Sequence, residues 1–263
     1  MKRRSAIARR SAGIFAALLI ANLLLRPAQA ADHVVSLNLC TDQLLVLLAP
    51  EKVAALSPLA RDPALSFVAA QAERLPIVRA SAEAVLRLHP DLILAASYGA
   101  QTTVALLQQE GVPVLRIDLP QDFAGIRQQT RALATALGVA QRADALLAAM
   151  DATLANLPRP SHPTRALVWQ PRGLTAGPGS LMDSVVRTVG LINVSDGRHI
   201  GLEKLLREPP DLLVVPATPE FPSLATALLG HPALEGLHRR AIPPALTICA
   251  GPFTAQAAAL LAQ

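Results

Sequence analysis

The sequence predicts an α/β protein of two Rossmann-like lobes joined by a single long bridging helix, with a ligand cleft between the lobes. Three observations predict this fold: apolar runs alternate with helical periodicity, one helix-to-strand segment occurs twice, and a long helical stretch separates the two copies. Strands that are apolar on both faces are typical of parallel sheets covered by helices.

The first lobe, residues 31–138, contains four strand-like runs separated by helical segments. The runs are HVVSL (33–37), VAAL (53–56), DLILAAS (91–97) and VPVLRID (112–118). Helical spacing occurs at 42–48, 82–88 and 101–110, and again from Pro120 up to Gly138. A run followed by a helix and another run predicts a βαβ unit of a parallel sheet.

Residues 139–158 are predicted to form the bridging helix. Leu146, Leu147, Met150 and Leu154 recur at helical spacing until the proline-rich LPRPSHP ends the helix. A helix of about eighteen residues spans roughly 27 Å, which is long enough to connect two lobes. A single packed helix predicts a stiff connection and closure through a small angle.

The second lobe, residues 159–263, repeats the plan of the first. We expect strands at 165–169, 212–215 and in ALTIC (245–249), and helices near 180–189, 202–207 and from Thr254 onwards. Ser180 at the end of TAGPGS is expected to cap the helix that follows it. This stretch lacks the Gly-Lys-Ser/Thr of a phosphate-binding loop, which argues against nucleotide binding.

Residues 1–30 predict a cleavable signal peptide. Five basic residues precede an apolar run at 12–25 that is short for a membrane span, and Ala28-Gln29-Ala30 has the form of a cleavage site. A retained membrane anchor is the alternative, and Arg9-Arg10 leaves the Sec and the twin-arginine export routes both open. We expect an exported mature chain that begins near Ala31.

The signal peptide accounts for the basic charge of the chain. It carries six of the 24 basic residues and none of the 19 acidic ones, so the mature chain has 18 basic residues against 19 acidic ones. A near-neutral surface removes the electrostatic reason to expect a nucleic-acid partner.

Two cysteines, Cys40 and Cys249, are present in the whole chain. In an oxidising compartment they could form a disulfide, or they could be two small buried apolar side chains. Both alternatives stay open at this stage, because the sequence contains no distance between them.

Ligands of open parallel sheets bind beyond the carboxyl ends of the strands. That rule selects eight candidate ligand-binding residues: Asn38, Cys40, Thr41, Arg61, Tyr98, Trp169, Arg172 and Phe253. The aromatic residues would stack on a ligand, and the arginines would meet its anionic groups. The alternatives are core packing for Trp169 and a surface pair with Asp62 for Arg61.

Motifs of catalysis and of metal binding are absent from the sequence. There is no G-x-S-x-G, no H-E-x-x-H and no cluster of cysteine and histidine residues. We therefore expect neither an enzyme, nor a resident cofactor, nor a bare metal ion held by protein ligands.

The repeated segment reads SAEAVLRLHPDLILAAS at 81–97 and GLEKLLREPPDLLVVPA at 201–217, and it aligns without a gap. It resembles an element of the helical-backbone periplasmic solute-binding proteins, which deliver iron–siderophore complexes or cobalamin to ABC importers. VVSLNLCTDQLLVLLAPEKVAALS, TAGPGSLMDSVVRTVGLINV and CAGPFTAQAAALLA are also similar to segments of that family. The resemblance covers essentially the whole mature chain. Its one departure is LTIC (246–249), where relatives often have an aromatic residue.

The resemblance implies a periplasmic, monomeric carrier of a metal chelate, and it implies a fold of two α/β lobes bridged by one helix. It also implies that Glu83 and Glu203, one on each lobe, dock on arginines of an ABC permease dimer at the inner membrane. A glutamate in the first turn of a helix is favoured by the helix dipole in any case, so the helix dipole is the alternative explanation.

The expected ligand is a ferric siderophore or a corrinoid. Arg61 and Arg172 favour an anionic ferric siderophore, and the scarcity of aromatic residues does not argue for haem, nor strongly for cobalamin. The alternatives are a cobalamin- or haem-specific carrier of the same fold, a secreted α/β enzyme that uses the cleft, and a signalling protein whose lobes dock on a sensor.

Overall fold

Two parallel sheets organise the computed structural model, which describes residues 30–170, 173–217 and 229–263. The predicted signal peptide, apart from Ala30, lies outside the described residues. In the N-terminal lobe the elements are β1 (Val34–Ser36), α1 (Leu39–Leu48), β2 (Val53–Ala55), α2 (Ala69–Ala72), α3 (Ala82–Leu86), β3 (Leu92–Ala96), α4 (Gln101–Gln109), β4 (Val114–Ile117) and α5 (Phe123–Leu137). The chain continues with α6 (Ala140–Ala155), and the C-terminal lobe contains β5 (Arg165–Val168), α7 (Leu181–Thr188), β6 (Ile192–Asn193), α8 (Leu202–Arg207), β7 (Leu212–Pro216), β8 (Arg239–Ile242) and α9 (Thr254–Leu261).

Both sheets have the same strand order. The first runs β2-β1-β3-β4 and the second β6-β5-β7-β8, and every strand pair is parallel. Apolar runs with helices on both sides produce this arrangement, because β1, β3, β5 and β7 are covered on both faces. The predicted fold class, two α/β lobes with parallel sheets, is confirmed.

Helices α1, α3, α5 and α7 begin at a residue whose side chain caps the helix. Asn38 accepts a hydrogen bond from the Thr41 amide at the start of α1, and Asp122 accepts one from the Gly125 amide at the start of α5. Ser180 accepts a hydrogen bond from the Asp183 amide and caps α7, as predicted. At the end of α5, Gly138 adopts the left-handed conformation with φ of 69°, which a glycine reaches at low cost.

The repeated segment occupies the same place in each lobe. It forms α3 and β3 in the first lobe and α8 and β7 in the second, and both strands lie third in their sheets. Its aspartates fasten the neighbouring strand. The Asp91 carboxylate accepts the backbone N–H groups of Asp32 (2.8 Å) and His33 (3.0 Å), and the Asp211 carboxylate accepts that of Arg165 (2.7 Å).

Helix α6 contacts both lobes. Near its start, Arg142 donates to the Leu48 carbonyl at 2.9 Å and pairs with Glu51 at 2.7 Å. Further along, Leu147 and Met150 join a hydrophobic cluster that includes Val168 and Phe253 of the C-terminal lobe. The predicted domain limits, and the role of 139–158 as the single bridge, stay predictions.

Helix α1 is buried on two sides. Leu44, Leu45 and Leu48 pack in the core of the N-terminal lobe, whereas Leu39 belongs to the cluster of the C-terminal lobe. A helix that is apolar almost all round is typical of an element buried between two layers. Contact between the lobes therefore involves α1 as well as α6.

The prediction of a last strand at 245–249 is wrong. The last strand is β8, Arg239–Ile242, and Pro244–Leu246 forms a single 3₁₀ turn after it. Pro243 and Pro244 end β8, and Pro244 begins the 3₁₀ turn, since its fixed φ suits the first position of a helical turn; Ala245 and Leu246 are therefore not extended. In the described residues, no helix has the length and apolar character needed to cross a membrane.

Candidate functional site

The carboxyl ends of the strands form the edge of each sheet where ligands of open α/β folds bind. Four large apolar side chains on the segments that follow these ends are exposed: Leu59 (48 %), Tyr98 (49 %), Leu174 (44 %) and Ile248 (46 %). They follow β2, β3, β5 and β8, respectively. Large exposed apolar side chains on segments that follow strand ends are candidates for a ligand-binding surface.

A disulfide connects these edges of the two lobes. Cys40 lies in the first turn of α1, shortly after β1, and Cys249 follows β8 and its 3₁₀ turn. The two sulfur atoms are bonded, and the two Cα atoms are 5.2 Å apart. Of the two alternatives that the sequence leaves open for these cysteines, the structure has the disulfide.

Tyr98 lies against this disulfide. Its hydroxyl oxygen is 3.6 Å from the Cys40 sulfur, while about half of the side chain stays exposed. Partial burial raises the pKa of the Tyr98 phenol above its ordinary value, so the group is a neutral hydrogen-bond donor at physiological pH. Of the eight predicted ligand-binding residues, Cys40 and Tyr98 are brought together at an accessible place.

A cavity of about 220 Å³ opens at the carboxyl edge of the second sheet. Its lining is mainly apolar and comes from the ends of β5, β7 and β8 with parts of α7 and of the 3₁₀ segment: Val168, Trp169, Gln170, Met182, Val214, Val215, Pro216, Ile242, Pro244, Thr247 and Ile248. Such a lining, with few polar groups, suits an apolar part of a ligand.

Asn38 and Thr41 stabilise the start of α1. The Thr41 hydroxyl donates to the Asn38 carbonyl at 2.9 Å and lies 2.7 Å from the Ser36 hydroxyl. Thr41 is fully buried, and the Asn38 side chain accepts the Thr41 amide. Both side chains are therefore engaged in shaping the loop between β1 and α1.

Arg61 turns towards its own lobe. Its Nε donates to the Ala72 carbonyl at 3.1 Å and its Nη2 to the Leu75 carbonyl at 2.7 Å, so the guanidinium closes the end of α2. Cations near the carboxyl end of a helix are stabilised by its last carbonyls. The second predicted arginine, Arg172, lies outside the described residues.

Trp169 and Phe253 are both buried by packing contacts, Trp169 inside the C-terminal lobe and Phe253 where the two lobes meet. Trp169 is 2 % exposed among Leu167, Ile200 and Leu213, although one side of it lines the cavity. Phe253 is 4 % exposed and stacks on Phe67 of the N-terminal lobe, with ring centroids 4.8 Å apart.

Asp42 is a buried carboxyl group beside the disulfide-bearing turn. It accepts the backbone N–H of Ser57 at 3.1 Å and the Ser57 hydroxyl at 2.5 Å. Burial raises the pKa of Asp42 to about 7, against the lowering effect of hydrogen bonds from Ser36 and Ser57. Through Ser57, Asp42 fixes the start of the segment that presents Leu59.

A polar cavity of about 370 Å³ lies between the start of α5 and one side of α7. It is lined by Gln121, Asp122, Gly179, Ser180, Asp183, Ser184, Arg187 and Thr188. Asp122 and Asp183 already accept backbone hydrogen bonds there. Across the described residues, no group of three or more histidine, cysteine, aspartate or glutamate side chains could hold a metal ion.

The predicted docking glutamates occupy equivalent positions in the two lobes. Glu83 and Glu203 are both second in their helices, α3 and α8, and both are exposed. Glu83 pairs with Arg87 at 2.6 Å, and the Glu83 side chain remains 85 % exposed. An ion pair this exposed contributes little to stability and leaves the carboxylate accessible.

Sequence reasoning missed Ile248, Met182 and Phe67. The sequence places Ile248 in a predicted strand, and Met182 lines the cavity from the first turn of α7. Phe67 lies 186 positions before its partner Phe253, and no local pattern signals that contact. Its position directly before Cys249 is the one sequence signal that could have identified Ile248.

The fold is that of a two-lobed α/β protein, and its candidate ligand surface lies at the carboxyl ends of the strands. The chain belongs to the periplasmic binding protein family, whose model matches residues 34–238. No curated protein sequence matches the chain. The predicted function class, a periplasmic substrate-binding component of an ABC importer, is confirmed by the family.

Solved structures have the same fold. The periplasmic haem-binding protein RhuT from Roseiflexus sp. RS-1 is 23 % identical, with a TM-score of 0.69, and the match covers 89 % of this chain and 97 % of that one. The vitamin B12-binding protein BtuF of Vibrio cholerae is 19 % identical, with a TM-score of 0.61 and coverage of 87 % and 94 %. A Fe³⁺-hydroxamate transport protein from Saccharomonospora viridis is 18 % identical, with a TM-score of 0.64 and coverage of 87 % and 91 %.

Proposed function

We propose that this protein captures a preformed metal chelate with a large apolar surface, of the corrinoid class, and delivers it to an inner-membrane ABC permease. The exposed apolar side chains at the carboxyl edges, Leu59, Tyr98, Leu174 and Ile248, carry the proposal. A chelate brings its metal already coordinated, so its carrier needs apolar contact and a few hydrogen bonds rather than metal ligands.

The contacts of Arg61 argue against an anionic ferric siderophore as the first choice. The expectation of such a ligand depends on Arg61 and Arg172, and Arg61 donates to two carbonyl groups of its own lobe. Corrinoids present amide side chains around an apolar face. The polar cavity beside Gln121 and Ser180 offers donors and acceptors for groups of that kind.

A binding panel tests the ligand class. Cyanocobalamin, haemin, a ferric hydroxamate and a ferric catecholate are each added to the purified protein, and thermal unfolding is followed. A ligand at a hundredfold excess over its Kd stabilises the folded state by about 2.7 kcal/mol. We expect the largest shift with cyanocobalamin. A larger shift with a siderophore would replace the corrinoid, and no shift with any member would contradict capture of metal chelates.

We also propose that Glu83 and Glu203 dock on the permease, one on each of its two subunits. Their equivalent places on α3 and α8 support this proposal, since a two-lobed carrier that meets a paired permease needs similar charge on both lobes. The helix dipole explains why glutamate is favourable there, but it does not explain why both positions lie in the same repeated segment.

Charge reversal tests the docking proposal. The double variant Glu83→Lys/Glu203→Lys should abolish uptake of the ligand into cells and leave its Kd for the purified protein unchanged. Glu110→Lys/Glu235→Lys is the matched control, because it reverses one exposed glutamate in each lobe away from these helices. Normal uptake in the first variant, or equal loss in the control, would contradict docking by Glu83 and Glu203.

The periplasmic location follows from the family, and the finer proposal is export by a signal peptide cleaved after Ala30. N-terminal sequencing of the secreted protein should therefore begin at Ala31. We further propose that the protein works without catalysis and as a monomer. Chemical turnover of a bound ligand by the purified protein would contradict the first of these statements.

A further inference from the structure

A continuous set of contacts joins the two lobes on one side of the ligand surface. We call it the interlobe seam, and it consists of Leu39, Cys40, Leu47 and Phe67 from the N-terminal lobe with Cys249 and Phe253 from the C-terminal lobe. Cys40 and Leu47 are two turns apart on α1, so they lie on the same face of that helix. Leu44, Leu45 and Leu48, on the adjoining side of the helix, pack in the N-terminal core.

The seam is held in place by hydrogen bonds as well as by packing. The side-chain oxygen of Gln43, on α1, accepts the backbone N–H of Phe67 at 2.7 Å. Phe67 in turn stacks on Phe253 with an angle of 15° between the ring planes. Helix α1 therefore contacts the second lobe directly through Cys40 and indirectly, through Gln43, by way of Phe67.

The disulfide lies where the seam meets the ligand surface. Tyr98 contacts Cys40 there, and Ile248 is the residue directly before Cys249. Both Tyr98 and Ile248 are about half exposed, and they come from opposite lobes. The disulfide thus joins, covalently, the two places from which these apolar side chains project.

We propose that the Cys40–Cys249 disulfide is a positioning clamp that sets the spacing between the two ligand-binding edges. This inference rests on the proposed function, because it assumes that the ligand lies between those edges. With the clamp in place, the apolar surfaces of both lobes are held ready for the ligand. Holding a site in its bound geometry lowers the ordering cost of binding and slows release of the ligand.

A disulfide that merely stabilises the folded chain would have a different effect. Cys40 and Cys249 are 209 positions apart, so the bond constrains the unfolded chain whatever its location in the folded protein. Loss of such a bond would lower the unfolding temperature and leave the native spacing of the lobes unchanged. Measurements on the folded state therefore distinguish a disulfide that sets the spacing of the lobes from one that only stabilises the folded chain.

The test compares the wild type with Cys40→Ala/Cys249→Ala, without ligand and well below both unfolding temperatures. Small-angle X-ray scattering should give a radius of gyration of roughly 17.5 Å for the wild type, the value for a compact unit of the length of the predicted mature chain, and one larger by several per cent for the variant. Amide hydrogen exchange should accelerate about tenfold in 62–67 and 249–253. These readouts involve no ligand, so failure of the proposed function would leave them interpretable.

Leu107→Ala is the matched control. Leu107 is 0 % exposed in a hydrophobic cluster of the N-terminal lobe that contains none of the seam residues, so its truncation destabilises the protein without loosening the lobes. It should leave the radius of gyration and the exchange of 249–253 as in the wild type. With cyanocobalamin as the probe, dissociation should be about tenfold faster from the cysteine variant than from the control.

Two results would overturn the clamp. The first is an unchanged radius of gyration with unchanged exchange in the seam of the cysteine variant, and the second is equal dissociation rates of cyanocobalamin from the variant and the control. Absence of cyanocobalamin binding by the wild type would instead contradict the corrinoid proposal. The scattering and exchange results would still show whether the disulfide sets the spacing between the lobes.

Discussion

Asp42 has the most strongly shifted pKa that the structure resolves. Its carboxyl group is fully buried, and its hydrogen-bond donors are hydroxyl and backbone N–H groups, with no charged side chain among its partners in the described residues. Burial raises the pKa of Asp42 from 3.8 to about 7, because the ionised form loses its hydration and gains no counter-charge.

The raised pKa of Asp42 predicts the direction of a pH effect on stability. Between the two pKa values the folded protein binds a proton that the unfolded chain releases, so the free energy of unfolding falls as the pH rises from about 4 to about 7. Asp42→Asn removes this titration. Urea unfolding at several pH values over that range should show a shallower fall for the variant than for the wild type.

Asp144→Asn provides the control for this prediction, because Asp144 is an exposed aspartate on α6. Its pH profile should match that of the wild type. An unchanged profile for Asp42→Asn would show that the buried carboxyl group does not control the pH dependence.

Some roles of single residues could be predicted from the sequence and others could not. Cap residues such as Ser180 could be predicted, because capping depends on neighbours three positions away. The orientation of Arg61 could not, since its acceptors are carbonyls 11 and 14 positions later. Nor could the pairing of Cys40 with Cys249 be decided, because a sequence contains no Cα distance.

At the scale of elements, the repeated Pro-Asp step has a structural role that the sequence did not reveal. Asp91 fastens the chain before β1, and Asp211 fastens the start of β5, each from the strand next in the sheet. Each copy of the repeat thus has an aspartate that holds the neighbouring strand and an exposed glutamate in the helix before it.

Truncation of Asp91 should lower the stability of the folded protein. Asp91→Ala should lower the free energy of unfolding by about 1–2 kcal/mol, because two backbone N–H groups lose a charged acceptor. Asp91→Asn keeps one oxygen acceptor and should cost less than Asp91→Ala. Equal stability of all three proteins in urea unfolding would show that Asp91 does not fasten the strand.

Elements with a strong apolar signal were predicted, and weak ones were not. The strands β1, β3, β5 and β7 appear in the sequence as apolar runs, and the structure has them within a residue or two. β6 consists of only two residues, and β8 reads RRAI, a polar edge strand that hydrophobic periodicity does not detect. The sequence predicts the last strand at ALTIC (245–249) because that segment is more apolar than RRAI (239–242).

At the scale of the whole molecule, the two lobes are connected by α6, by the Phe67–Phe253 stack and by the disulfide. Three connections of different kinds favour a rigid cleft and small closure on binding. The two-lobed fold could be predicted because one helix-to-strand segment occurs twice in the sequence, at 81–97 and 201–217. The seam could not, because its members come from segments far apart in the chain.

The most direct test of the ligand site is cyanocobalamin binding by wild-type protein and by Tyr98→Ala/Ile248→Ser, measured by isothermal titration calorimetry. We expect binding to the wild type and at least a tenfold larger Kd for the variant, about 1.4 kcal/mol or more. Ile192→Ser is the control, since Ile192 is equally exposed at 47 % but pairs with Arg165 at the opposite end of the sheet. Equal affinities for all three proteins would contradict a ligand site at the carboxyl edges of the two sheets.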